Sequence, residues 1–221
     1  MKYLENLSLE TISNSLTNRE IAGGLIINGR IEVYSTKKAG NDKKESKMLE
    51  SKLSEGNTNV ATPKRLLVDL IQTLNASMID YDFSDISPNS FALVNVNDAV
   101  QHINSHLSQL SNDSNYFISN MWKNILECLG VATLVNTCEV YKLSDSTIID
   151  DEVDIVWSFN YFFCCKEMKR ICYFSCSATS KFRRMNVSFS ADGIASMADE
   201  DVDNGKISYE DREDSGDEEY L

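Results

Sequence analysis

Val156-Trp157-Ser158-Phe159-Asn160-Tyr161-Phe162-Phe163 and Arg170-Ile171-Cys172-Tyr173-Phe174-Ser175-Cys176 are the two runs that decide the fold. Aromatic and β-branched residues suit a pleated, half-buried surface, so the pair predicts an antiparallel hairpin near the middle of a sheet. The connection, Cys164 to Lys169, is polar and basic, and it delivers Lys166, Lys169 and Arg170 to one rim of that sheet. Cys164 and Cys165 fall in the connection on this reading, at an exposed turn.

Working outward, Cys138–Leu143 predicts another strand and Phe182–Phe189 a last one, with an acidic loop over Ser144–Asp154. Residues 115–135 have a helical period, with Phe117, Met121, Ile125 and Leu129 on one face. Both prolines follow a hydroxyl residue, Thr62-Pro63 and Ser87-Pro88, a pattern that starts helices. Thr62 is expected to open Pro63–Met78, with its Leu66, Leu67, Leu70, Ile71 and Leu74 stripe, and Ser87 a more polar helix to about Leu110. The compact acidic and aromatic loop Asp80-Tyr81-Asp82-Phe83-Ser84 lies between them.

Nearer the start, residues 5–16 carry a helical pattern with Ser8 as N-cap, ended by Gly23-Gly24. Leu25–Tyr34 is strand-like. Its Asn28-Gly29 is compatible with a hairpin turn and equally with one strand carrying a glycine irregularity. Residues 42–55 form a charged helix, followed by a short linker near 55–63. Strands and helices without regular βαβ alternation predict an α+β fold: a central antiparallel sheet flanked by helices, as a single globular domain over 1–190.

The net charge of −13 is unevenly spread. From Asp199 to Leu221 there are eleven acids and two bases, which leaves −9 there and −4 for the preceding 198 residues. Residues 191–221 bury too little apolar surface to offset chain entropy, so a disordered acidic tail is expected. Its runs Asp199-Glu200-Asp201 and Asp217-Glu218-Glu219 fit either a solubilising appendage or an arm that docks on basic surface. No apolar run reaches the roughly 18 residues of a membrane span, and the polar start is unlike a secretory signal. Six cysteines without Cys-x-x-Cys spacing indicate reduced, mostly buried thiols rather than zinc ligands.

Candidate chemistry is sparse. His102 and His106 share a helical face, but Ile103 stands where a zinc protease has Glu, so a solvated polar face is expected. Asp80 and Asp82 lack partner acids at useful spacing. No phosphate-binding loop, nucleophile elbow or kinase signature is present, so the chain is expected not to be an enzyme and to use no cofactor or metal. Lys37, Lys38, Lys43, Lys44 and Lys47 form the strongest basic cluster. Scarce Arg, no interleaved aromatics and the acidic total argue against sequence-specific nucleic-acid binding. Thr62 and Ser87 also match the minimal target of a proline-directed kinase. A phosphate is favourable at a helix N-terminus, so capping and phosphorylation are compatible there; capping is favoured at both, and Thr62, beside a linker, is the better phosphorylation candidate.

Three separated blocks are similar to the Maf-one-type repressors of RNA polymerase III. The first is Met1–Asn6 with Gly29–Lys37 and Gly40–Lys43. The second is Arg65-Leu66-Leu67 with Leu70–Asn75 and Asp80–Ser84, and the third is the Trp157–Cys176 hairpin. The resemblance implies a nuclear protein with a regulated cytoplasmic pool, which binds the polymerase and keeps it from the initiation factor TFIIIB. Transfer RNA and 5S RNA synthesis then falls under stress. It also implies kinases and phosphatases downstream of TOR nutrient signalling as partners, a monomer, and no membrane. On this reading three surfaces meet partners: Lys37 and Lys38, the Asp80-Tyr81-Asp82-Phe83 loop, and Lys166, Lys169 and Arg170 at the hairpin turn. Trp157 is expected in the core. Many relatives carry a long Ser- and Arg-rich insertion between the first two blocks; here that interval is short, and Cys164-Cys165 replaces the more usual Tyr-Asn pair. Composition alone gives a second reading, an acidic-tailed adaptor of histone-chaperone type.

Overall fold

The computed structural model describes residues 1–55, 62–110, 114–144 and 155–181. The tail acids, the Ser144–Asp154 loop beyond Ser144, the Phe182–Phe189 strand, most of the 55–63 linker and the 190/191 boundary lie outside the described residues.

The hairpin is the centre of the molecule. Strand β6 (Ile155–Cys165) and strand β7 (Arg170–Ser180) pair antiparallel, with Phe162 opposite Tyr173 and Phe163 opposite Cys172. On the far side of β7 lies β3 (Leu25–Ser35), flanked by the short strands β1 (Lys2–Tyr3) and β2 (Arg19–Ile21). Strands β5 (Glu139–Leu143) and β4 (Phe91–Val94) extend the sheet beyond β6. The order is β1-β3-β7-β6-β5-β4, with β2 also on β3 and every pairing antiparallel.

Helices cover both faces. One face packs against α1 (Leu7–Leu16), α4 (Val96–Leu107) and α5 (Ser114–Leu129). Phe159, Tyr161, Phe163, Phe174 and Cys176 fill it. The other face packs against α2 (Asn41–Glu55) and α3 (Lys64–Ser77) through Phe162, Cys164, Ile171 and Tyr173. Side chains alternate across a strand, so the hairpin feeds two cores at once, which fits a central sheet flanked by helices.

Asn28-Gly29 makes no hairpin; β3 runs through it as one strand. A Cβ on Gly29 would come within 2.8 Å of Leu16 Cβ, so glycine is what lets α1 lie on β3. The cap of α1 is Asn6, whose side chain accepts from Leu9 N at 2.9 Å, and Ser8 sits inside the first turn. Pro63 holds the cap position of α3, so Thr62 does not cap it.

The largest correction follows Ser87. The side chain of Ser87 caps only a 3-10 turn, Pro88–Ser90, after which Phe91–Val94 joins the sheet as β4. Burying Phe91 against Phe162, with ring centroids 5.8 Å apart, favours the strand over continued helix. Helix α4 starts later, capped by Asn95. Helix α5 stops at Leu129 because Gly130, at φ +76°, turns the chain out of the helix. Cys164 and Cys165 are strand residues, both buried, and the turn proper is Lys166–Lys169.

Candidate functional site

On the α3 side of the sheet, the apolar pairs run out part-way along the hairpin. Phe162 and Tyr173 stack at 4.9 Å, and the next pairs along, Asn160–Ser175 and Ser158–Ser177, are polar. Asn160 is buried and accepts from the Tyr173 hydroxyl at 2.8 Å. Helix α3, 14 residues and about 21 Å long at 1.5 Å per residue, covers the apolar part and leaves a cleft at each of its ends.

The cleft at the N-terminal end has a volume of about 450 Å³. It is lined by Thr36, Lys37 and Lys38 after β3, Lys43, Ser46, Lys47 and Glu50 of α2, Arg65 of α3, and Lys169 of the hairpin turn. A neighbouring hollow shares Thr36, Arg65 and Lys169 and reaches Lys166 and Asp69. Lys38 is not free for a partner: its Nζ lies 2.7 Å from Asp69 Oδ1, and both side chains are largely buried. Burial raises the Asp69 carboxyl above its ordinary range, and Lys38 and Arg65 offset only part of that. Ser46 bonds Gln72 of α3 at 3.0 Å, and Gln72 reaches Glu45 at 3.2 Å, which fixes α2 against α3. The amide of Thr36 donates to Lys169 O at 2.9 Å, tying the end of β3 to the hairpin turn.

The second cleft, about 380 Å³, holds Arg30, Met78, Tyr81 and Tyr173 against Asn28, Ser175 and Ser177. Arg30 Nη1 donates to Ser77 O at 2.8 Å, and the Ser77 hydroxyl donates to Glu32, so β3 grips the last turn of α3. In the following loop, Asp80, Tyr81 and Asp82 are exposed while Phe83 is buried. The Asp82 carboxyl is held below its ordinary range by bonds from the hydroxyl and amide of Ser84.

The three sequence-derived surfaces thus resolve into two places. Lys37, Lys38, Lys166 and Lys169 gather at one end of α3, and the Asp80–Phe83 loop sits at the other. Arg170 turns away; its Nη1 donates to Cys128 O at 2.6 Å and ties the hairpin to α5. Lys166 pairs with Glu139 on β5. Phe83 is core rather than surface, because its ring closes the apolar region beneath α3. Ser87 is exposed, whereas Thr62 is buried. The contributions of Arg65 and Asp69 are absent from the sequence reading, since nothing local links them to Lys37.

His102 and His106 are not a solvated face. They pack on the hairpin aromatics, His106 4.4 Å from Trp157 and His102 5.7 Å from Phe159, ring centroid to ring centroid. Burial, reinforced by His106 and Lys142, lowers the His102 pKa and favours the neutral ring. Trp157 itself is half-buried at the edge of that core. Burial likewise raises Cys164 and Cys172 well above the ordinary thiol range, so both stay protonated and inert. Among the described residues no cluster of His, Cys, Asp or Glu is disposed to hold a metal, and no helix is long and apolar enough to cross a membrane.

Comparison with known proteins agrees with this architecture. A repressor of RNA polymerase III transcription from Schizosaccharomyces pombe is 28% identical over 208 residues, 82% of this chain and 84% of that protein. One from Dictyostelium discoideum is 25% identical over 84% of this chain and 87% of its own length. The crystal structure of citrus MAF1 superposes with a TM-score of 0.65 at 27% identity, covering 79% of this chain and 99% of that one. A second crystal form gives 0.66 at 25% identity, over 80% of this chain and 98% of that one. Residues 56–175, from the approach to α3 through to the middle of β7, match the family described as Maf1 regulator, and the chain belongs to that family.

Proposed function

We infer that this protein represses RNA polymerase III transcription by binding the polymerase and obstructing its recruitment to TFIIIB-bound promoters. The observation that carries the reading is the family match, supported by likeness over most of the chain to two repressors of that polymerase. The geometry is compatible with action by occupancy. Its polar features are exposed side chains on the loops and turns that border the sheet, Lys37, Tyr81 and Lys169 among them, and the catalytic groups of an acid–base or nucleophilic site are not gathered anywhere among the described residues. Work in the nucleus, with kinases and phosphatases controlling a cytoplasmic pool, belongs to the same proposal. Ser87, exposed and followed by Pro88, is the more accessible of the two proline-directed positions.

The test is reconstituted transcription with purified RNA polymerase III and TFIIIB. Added protein should co-purify with the polymerase and lower transcript yield, most strongly when it is added before promoter engagement. A chain ending at Ala198 should retain polymerase binding if the folded body carries the activity. Absence of both co-purification and transcript loss would reject the proposal.

A further inference from the structure

The cleft at the N-terminal end of α3 collects six cations against a single acid, Glu50, in a chain whose net charge is −13. Four separate parts of the fold supply them. Lys37 and Lys38 follow β3, Lys43 and Lys47 stand one turn apart on α2, Arg65 opens α3, and Lys169 ends the β6–β7 turn. Of these, Lys38 is neutralised by Asp69 at 2.7 Å. The other ion pairs among the described residues, Lys52–Asp85, Lys166–Glu139, Lys181–Glu20 and the N-terminus with Asp42, engage cations outside this cleft. Like charges brought this close repel, and a solvated surface would relieve the repulsion by splaying them apart. Here the walls that carry them are fixed to one another by Ser46–Gln72, Gln72–Glu45, Thr36–Lys169 and Lys38–Asp69. The cations are preorganised around a common hollow, which lowers the ordering cost for whatever anion enters.

We propose that this cleft is a binding site for a small, multiply phosphorylated ligand of the polyphosphate or inositol-polyphosphate class. Its volume, about 450 Å³, lies within the range of small-molecule sites. Several phosphates spaced around a compact centre meet cations converging from several directions, as point charges from Lys and a fork from Arg65. Thr36 also lines the cleft, while the Ser46 hydroxyl is held by Gln72. A nucleic acid fits less well. The lining holds no aromatic side chain for base stacking, and Arg contributes one cation of the six. The inference does not depend on the repressor reading, because direct binding reports it.

Calorimetric titration of the full chain with inositol hexakisphosphate should give saturable one-to-one binding that weakens as salt is raised. Inorganic phosphate should bind far more weakly. The double variant K43Q/K47Q should lose about tenfold or more in affinity, as expected on removal of two charge-assisted contacts. The variant K44Q/K123Q removes the same charge from exposed positions outside the cleft and should bind like the parent. Circular dichroism of both variants keeps misfolding separate from lost binding. Three results would overturn the proposal: no saturable binding, equal loss in the two double variants, or a short RNA that binds more tightly and is weakened by the same K43Q/K47Q change. The last would make this surface a nucleic-acid contact.

Discussion

The two faces of the sheet are built from the same hairpin and end up with different characters. Beneath α1, α4 and α5 the apolar side chains run the length of β6 and β7, from Ala178 and Phe159 to Cys165 and Cys172. Beneath α2 and α3 they stop after Phe162 and Tyr173, and Asn160, Ser158, Ser175 and Ser177 take over. The sealed face holds the fold. The half-covered face exposes a cleft at each end of α3, and both clefts collect polar and charged side chains, some tied into the fold and others, such as Lys37, Tyr81 and Lys169, exposed. Stability and recognition are thereby divided between opposite sides of one pair of strands.

That division can be broken most forcefully at Phe163. Its ring is fully buried in the sealed face, and Trp122 meets it edge-on at 5.7 Å. Phe163→Ala should cost about 3–5 kcal/mol, read as a lowered midpoint in urea denaturation. A loss no larger than that of an exposed substitution would mean the face is not sealed. Gly29→Ala strikes the same face from β3. The added methyl must displace Leu16, whose Cβ and Cδ1 lie 2.8 and 2.9 Å from it, and overpacking of this kind costs about 2–3 kcal/mol. A denaturation midpoint equal to the parent's would mean that Leu16 yields to the added methyl without cost.

The smallest expected effect is on the other face. Lys38→Met leaves Asp69 with its burial and without its nearest cation, and should cost about 1–2 kcal/mol at neutral pH. Burial already raises the folded carboxyl above its unfolded value, while Lys38 and Arg65 lower it and Glu50 raises it further. A raised folded pKa means that the native state binds the proton more tightly. The associated stability is fully present below the unfolded value, about 3.9, and is lost as pH rises through the folded value. Without Lys38 the folded value climbs higher, so the decline should extend further toward neutrality. Denaturation midpoints across that range would show a steeper fall than in the parent, and Asp69→Asn should remove this component.

Much of this architecture is legible in the chain. The hairpin, the stripe of α3 and the α5 period announce themselves because each pattern is local and repeats at the spacing of its element. The Phe91–Val94 strand does not, since four residues after Ser-Pro read equally well as helix until β5 offers an edge and Phe162 a ring to pack on. The candidate surface divides in the same way. The lysines at 37–47 are visible as a cluster, yet their meeting with Arg65 and Lys169 depends on strand order. Phe83, in turn, looks like a loop aromatic and lies in the core.

Sequence by itself determined the hairpin, the α3 and α5 helices, that the sheet is antiparallel, and which family the hairpin wording resembles, because periodicity and residue type act over a few neighbours. Tertiary structure alone decided that both faces of the hairpin are buried, that Lys38 is spent on Asp69, and that five other cations surround one hollow. Those outcomes depend on distances between residues far apart in the chain, and packing sets such distances where local pattern cannot.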